Sequence, residues 1–138
     1  MTADPPQLVI DASVALSWLL DDEIAPAADA ALRALSGRTG LAPAVWSFET
    51  RNALLTAQRR GRLDLEDVRS KLSAAESLPI ELDRDPNFDA AMQLAVRWRL
   101  SIYDASYLEL ALRRGALLAT LDRSLAAAAA AENARFEA

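Results

Sequence analysis

The apolar run Leu8-Val9-Ile10 stops abruptly at Asp11. A run this short, apolar at every position, describes a strand buried on both faces rather than an amphipathic helix. The pattern returns at residues 116–120, Ala-Leu-Leu-Ala-Thr, with Asp122 two positions on. Weaker versions occur at 40–43, read as a strand or a turn, and at 79–82, read as a short edge strand. Between them the apolar spacing predicts helices over residues 14–20, 24–35, 44–60, 65–77, 87–98, 104–113 and 121–131. Asp64 is the expected N-cap of the fourth, and Gly61 and Gly115 are expected stops. Residues 134–136 are read as a last strand. Short apolar strands that alternate with helices form a parallel α/β sheet.

A chain of 138 residues is read as one domain over 8–138, behind a flexible lead-in over 1–7 with Pro5-Pro6. No apolar stretch approaches the roughly 20 residues that span a bilayer. The first residues lack a basic segment, so no signal peptide is expected and a cytoplasmic location is the default. There is no His and no Cys. That removes the Ser-His-Asp triad, the imidazole base, the thiol nucleophile and the zinc knuckle. Any chemistry must come from carboxylates, hydroxyls, Arg, Tyr or a bound ion. The formal charge of −5 argues against a polyanion binder that works by bulk field.

In an open parallel sheet, ligands bind beyond the carboxyl ends of the strands. Asp11 and Asp122 both fall at that edge, and Asp104 is read as opening a helix. Helix N-capping accounts for any one of them, but less well for all three together. Glu49 is read on the face of its helix shared by Val45 and Ala53, with Asn52 one turn on. An inward carboxylate is costly unless it is paired, by a buried Arg for instance, or binds something. Four clustered acids repel one another, and a hard divalent cation such as Mg²⁺ relieves that. Ser13 and Thr120 add hydroxyls that suit a carboxylate or an ordered water. Metal-assisted phosphodiester hydrolysis follows from such a set, with the ion activating a water, and it needs no His.

Four stretches together resemble the PIN-domain ribonucleases, and within them the VapC toxins of bacterial toxin–antitoxin pairs. They are Val9-Ile10-Asp11-Ala12-Ser13, residues 42–49 with Asn52-Ala53-Leu54, residues 103–111, and Leu118-Ala119-Thr120-Leu121-Asp122 with Leu125. The resemblance implies a three-layer α/β/α domain around a short, mostly parallel sheet. It implies that Asp11, Glu49, Asp104 and Asp122 form an acidic quartet holding Mg²⁺ or Mn²⁺, with Ser13, Asn52 and Thr120 in support. It also implies an RNA substrate, a cognate antitoxin that occludes the site, and a homodimer.

Other features admit two readings each. Arg59-Arg60-Gly61-Arg62 and Arg113-Arg114 suit RNA phosphates, but as helix C-terminal cations they are accounted for by the helix dipole. Trp18, Trp46 and Trp98 suit base stacking or packing, packing being favoured for Trp46. Val14, Leu16, Leu19, Leu20 and Ile24 form an apolar stripe suited to an antitoxin or a dimer partner, which Leu55 extends. Tyr103 and Tyr107 flank Asp104 and either orient it or pack. Two other classes compete. A phosphoacceptor receiver-like domain needs a Lys after a late strand, but the only Lys is Lys71, mid-chain. A binding module whose acids merely cap helices would gain no stability from Mg²⁺ or Mn²⁺. A haloacid-type phosphatase lacks its second Asp in Asp11-Ala12-Ser13. A housekeeping PIN nuclease without an antitoxin stands as the nearest alternative.

Overall fold

The computed structural model describes residues 5–20 and 25–137. The apolar runs become strands: β1 (Leu8–Ile10), β2 (Gly40–Pro43), β3 (Ile80–Asp83) and β4 (Leu117–Ala119). The helices are α1 (Ala12–Leu19), α2 (Pro26–Ala34), α3 (Val45–Arg59), α4 (Leu65–Glu76), α5 (Phe88–Trp98), α6 (Ile102–Arg114) and α7 (Arg123–Ala131). The chain is an α/β domain. Every pairing within the sheet is parallel, in the order β3-β2-β1-β4. β1 and β2 are buried throughout, as their unbroken apolar runs require. β3 lies at an edge and is only half covered, as its sequence suggested.

The packing explains the composition. Gly40 lets β2 close onto its neighbours, because a Cβ there would meet Ile10 Cγ1 at 3.0 Å. α6 lies against β1, β2 and β4 and also against α5 and α7. Ala105, Tyr107, Leu108, Glu109, Leu110 and Ala111 are all buried, so this helix is covered nearly all round. The alanine-rich α7 buries Ala126, Ala128 and Ala129 beside Leu125.

Several boundaries differ from expectation. α1 begins at Ala12, immediately after the strand. Residue 24, expected to open the second helix and to end the apolar stripe, lies outside the described residues, as do residues 1–4 of the lead-in. Pro5 and Pro6 are anchored, since Arg38 donates to both carbonyls. α6 starts two residues before Asp104, because Ser101 is its N-cap and accepts from the Asp104 amide. Capping therefore does not account for the Asp104 side chain. Residues 134–136 form one parallel bridge, Leu118 to Arg135, rather than a strand. Asn133, at φ 58, turns the chain beside β4, where the Leu118 amide donates to the Ala134 carbonyl and the Phe136 amide to the Leu118 carbonyl. Asp64 caps α4, as predicted, and Asp67 completes a reciprocal capping box with it.

A buried charge network joins α6 to the β3 edge. Glu109 is 3% exposed. It accepts from Arg113 Nε at 2.8 Å and from the Asn87 amide at 3.0 Å. Arg113 also donates two bonds to Asp83, at 3.2 and 2.7 Å. Those bonds hold the Asp83 carboxyl below its ordinary value of 3.8. Their contribution to stability is present above that pH and is lost as pH falls through the lowered folded value. Arg113, itself at the surface, is thus engaged by two carboxylates of the fold.

Replacing Arg113 by Ala leaves Glu109 buried without its cation. We expect a loss of about 3 kcal/mol in urea denaturation. A midpoint equal to the parent's would refute this assignment.

Candidate active site

The strand order reverses between β1 and β4, because β2 and β3 extend from one side of β1 and β4 from the other. In a parallel α/β sheet such a switch point opens a crevice at the carboxyl ends of the strands. Ile10 pairs with Ala119, and the Asp11 amide donates to the Ala119 carbonyl at 3.1 Å. The residues just beyond, Asp11 and Thr120, therefore face each other across this crevice.

Asp11 occupies the N-cap position of α1 but makes no capping hydrogen bond. Its Oδ2 instead accepts from Thr120 Oγ1 at 2.6 Å and from Ser13 Oγ at 3.0 Å. The same hydroxyl oxygens accept backbone amides from the β4–α7 turn, Ser13 from Leu121 and Thr120 from Asp122. One carboxylate oxygen of a 6% exposed aspartate is thereby fixed. Its pKa is raised, by burial first, and the nearby Asp122 charge adds to the rise.

Glu49 is half-buried on α3. The inward face of that helix is Trp46, Thr50, Leu54 and Ala57, so Glu49 stands at its shoulder rather than among core residues. One expectation changes accordingly: Asn52 is exposed, and with Glu49 it lines a surface groove. Phe48 also points outward, 77% exposed. Glu49 Oε1 accepts from the Tyr107 hydroxyl at 2.6 Å. Tyr107, expected to orient Asp104 or simply to pack, thus serves Glu49 across 58 residues of sequence. Burial, followed by the hydrogen bond to Glu49, raises its pKa far above the ordinary value, so it remains a donor. Periodicity could have shown that Tyr107 points inward, but nothing in the sequence named its partner.

Asp104, in the first turn of α6, is half-buried. Burial raises its pKa, and the charges of Asp11 and Asp122 raise it further. Burial likewise raises that of Glu49, opposed by the Tyr107 hydrogen bond and reinforced by Asp11 and Asp104. Asp122 is exposed and caps α7, accepting from the Leu125 amide at 2.8 Å. The capping reading holds for this residue, although its charge also reaches Asp11 and Asp104. The structure thus brings the four acids together electrostatically, with Ser13 and Thr120 among them and Asn52 on the groove beside Glu49.

Among the described residues, no group of three or more acids sits close enough to form a ready-made metal cage. Mg²⁺ commonly takes only one or two carboxylates and completes its shell with water and substrate oxygens. The donor set fits that use. Its carboxylates already strain against ionisation, and Asp11 and Glu49 are hydrogen-bonded by hydroxyls, which leave the charge in place.

Two grooves flank the acids and share Leu20 as a wall. One, of about 400 Å³, runs from Glu49 past Asn52 and Thr56 to Arg60 and Arg62. The other, of about 380 Å³, lies between Ser13, Leu16 and Asp122. The Trp residues are used in packing. Trp18 donates to the Ala28 carbonyl, Trp98 donates to Glu132, and Trp46 is buried.

The pattern of the PIN domain matches residues 8–131, and the chain belongs to that family. Within it the chain is of the VapC type. Ribonuclease VapC3 of Mycobacterium tuberculosis is 34% identical over 134 residues, spanning 92% of this chain and 90% of that protein. Exonuclease VapC9 of Pyrobaculum aerophilum is 36% identical over 80 residues, which is 58% of this chain and 59% of that protein. Among solved structures, PAE2754 from Pyrobaculum aerophilum aligns with a TM-score of 0.71 at 27% identity, covering 89% of this chain and 84% of that one. Mycobacterium tuberculosis VapC20, described as a sarcin-ricin loop cleaving toxin, aligns at 0.59 and 14% identity over 88% and 95% of the two chains. At that identity it supports the fold alone. The family match sets the receiver-like reading aside.

Without divalent ions, Asp104→Asn should raise the melting temperature by a few degrees at neutral pH. A raised folded pKa means the ionised form destabilises the fold. The gain should vanish at low pH and grow as pH climbs past 3.8 through the raised folded value. Calorimetry across that range that finds no pH-dependent difference would refute it.

Proposed function

We propose that this chain is the toxin of a VapBC-type pair, an endoribonuclease dependent on Mg²⁺ or Mn²⁺ that acts in the cytoplasm. The observation that carries this reading is the meeting of separate segments at the β1–β4 switch point, where a buried Asp11 is held by Thr120 and Ser13 and Glu49 is held by Tyr107 of the helix that bears Asp104. The ion would sit among Asp11, Glu49 and Asp104, held directly by one or two of these carboxylates, with the others and Asp122 acting through its water shell. When bound, the ion supplies Lewis acidity at the phosphate and lowers the pKa of an attacking water.

The protein's own part is arrangement. Thr120 and Ser13 fix one oxygen of Asp11. The Tyr107 hydroxyl keeps Glu49 turned toward the cluster. Arg60, on the groove that begins at Glu49, offers positive charge to an RNA backbone. A net charge of −5 makes that local charge, together with the ion, decisive for binding RNA.

The antitoxin would bind along α1, where Leu16 and Leu20 line the grooves beside the acids. A homodimer would use another face. Phe88, Met92 and Val96 recur every fourth residue as an exposed apolar ridge on α5. Beside it lies a largely apolar groove of about 490 Å³ between the starts of α3, α5 and α6. A ridge next to a groove on one face is self-complementary under a twofold axis, which favours a second copy of this chain there.

Two experiments test the reading. Purified chain with RNA and Mg²⁺ or Mn²⁺ should cleave it, and EDTA should stop the reaction. Asp11→Asn should slow cleavage by about 100-fold with unchanged circular dichroism. Full activity in that variant would sink the nuclease proposal. For the dimer, light scattering should show twice the chain mass for the parent and the monomer mass for Phe88→Glu. A monomeric parent, or a dimer that survives the substitution, would reject this face.

A further inference from the structure

We propose that Tyr107 is a positioning residue for cation capture, its phenol securing Glu49 Oε1 so that the other carboxylate oxygen is presented to the acidic cluster. This rests on the metal-dependent reading above and extends it to a residue outside the acidic quartet.

The geometry makes the case. Tyr107 is fully buried, and its hydroxyl donates to Glu49 Oε1 at 2.6 Å. It sits three residues after Asp104, so α6 carries one acid of the cluster and the group that orients another. Glu49 needs that help. It has a long side chain with several rotatable bonds and stands on the shoulder of α3 beside exposed Phe48 and exposed Asn52. Asp11 is short, buried and held by two hydroxyls. Tyr107 gives Glu49 the equivalent restraint across two helices. A buried phenol needs only some acceptor, and a backbone carbonyl would suffice for packing. This one instead meets a carboxylate that senses the charges of Asp11 and Asp104.

The test is Mn²⁺ binding, measured by calorimetry on the purified chain and compared with Tyr107→Phe. Loss of an outer partner of a ligating carboxylate predicts about 10-fold weaker binding, with circular dichroism unchanged. In a Glu49→Gln background, the same substitution should change Mn²⁺ affinity by less than about twofold, because its effect passes through Glu49. Glu49→Asp leaves the core alone and withdraws the carboxylate from the phenol. It should weaken Mn²⁺ binding as well, and it answers the question should Tyr107→Phe fail to fold. Parent-like affinity in a folded Tyr107→Phe overturns the inference, and so does parent-like affinity in Glu49→Asp should Tyr107→Phe fail to fold. Equal losses from Tyr107→Phe with and without Glu49 overturn it too. A parent chain that binds no Mn²⁺ overturns the metal reading itself and this inference with it, and so marks that failure apart.

Discussion

The parallel pairing of β1 with β4 is the constraint on which the rest of this protein depends. It brings two stretches more than one hundred residues apart into register, Ile10 against Ala119. Because β2 and β3 lie on the other side of β1, that pairing creates the switch point and its crevice. It also sets Asp11 opposite Thr120. Slipping the β4 register by one residue would turn Thr120 to the other face of the sheet, and the buried carboxylate would lose its shortest hydrogen bond.

Acidic residues are handled in two opposite ways. At the β3 edge, Asp83 and the buried Glu109 are neutralised by Arg113, with Arg114 farther off at 3.8 Å from Asp83. This is ordinary structural pairing, in which a buried carboxylate is tolerated because its charge is met. At the switch point, the hydrogen-bond partners of Asp11 and Glu49 are hydroxyls. Hydroxyls orient a carboxylate without cancelling it, so Asp11, Glu49 and Asp104 carry raised pKa values. Unrelieved strain of this kind is characteristic of sites that receive a cation or do chemistry.

Much of this was legible in the residues themselves. The strands around Val9, Leu41 and Leu118 follow from short apolar runs, and the ends of the helices at Gly61 and Gly115 follow from residues that adopt positive φ readily. The four acids stood out because each lies beside an element boundary or interrupts an apolar face. Side-chain partners were not legible. Asp11 stands at a helix N-cap but its carboxylate does not cap, whereas that of Asp122 does. Asn52 was misjudged because the buried stripe of α3 runs through Trp46, Thr50, Leu54 and Ala57, not through Val45 and Ala53.

The sequence by itself determined the class of fold, the positions of the acids along the chain and the absence of His and Cys chemistry. Local propensity and apolar periodicity act over a few residues, so one chain suffices to read them. Only the tertiary structure decided which charges are met and which are left. Arg113 and Asp83 are 30 residues apart, Tyr107 and Glu49 are 58 apart, and Thr120 and Asp11 are 109 apart. Hydrogen bonds and ion pairs act over about 3 Å in space, and sequence separation carries no record of that distance until the sheet and α6 have closed it.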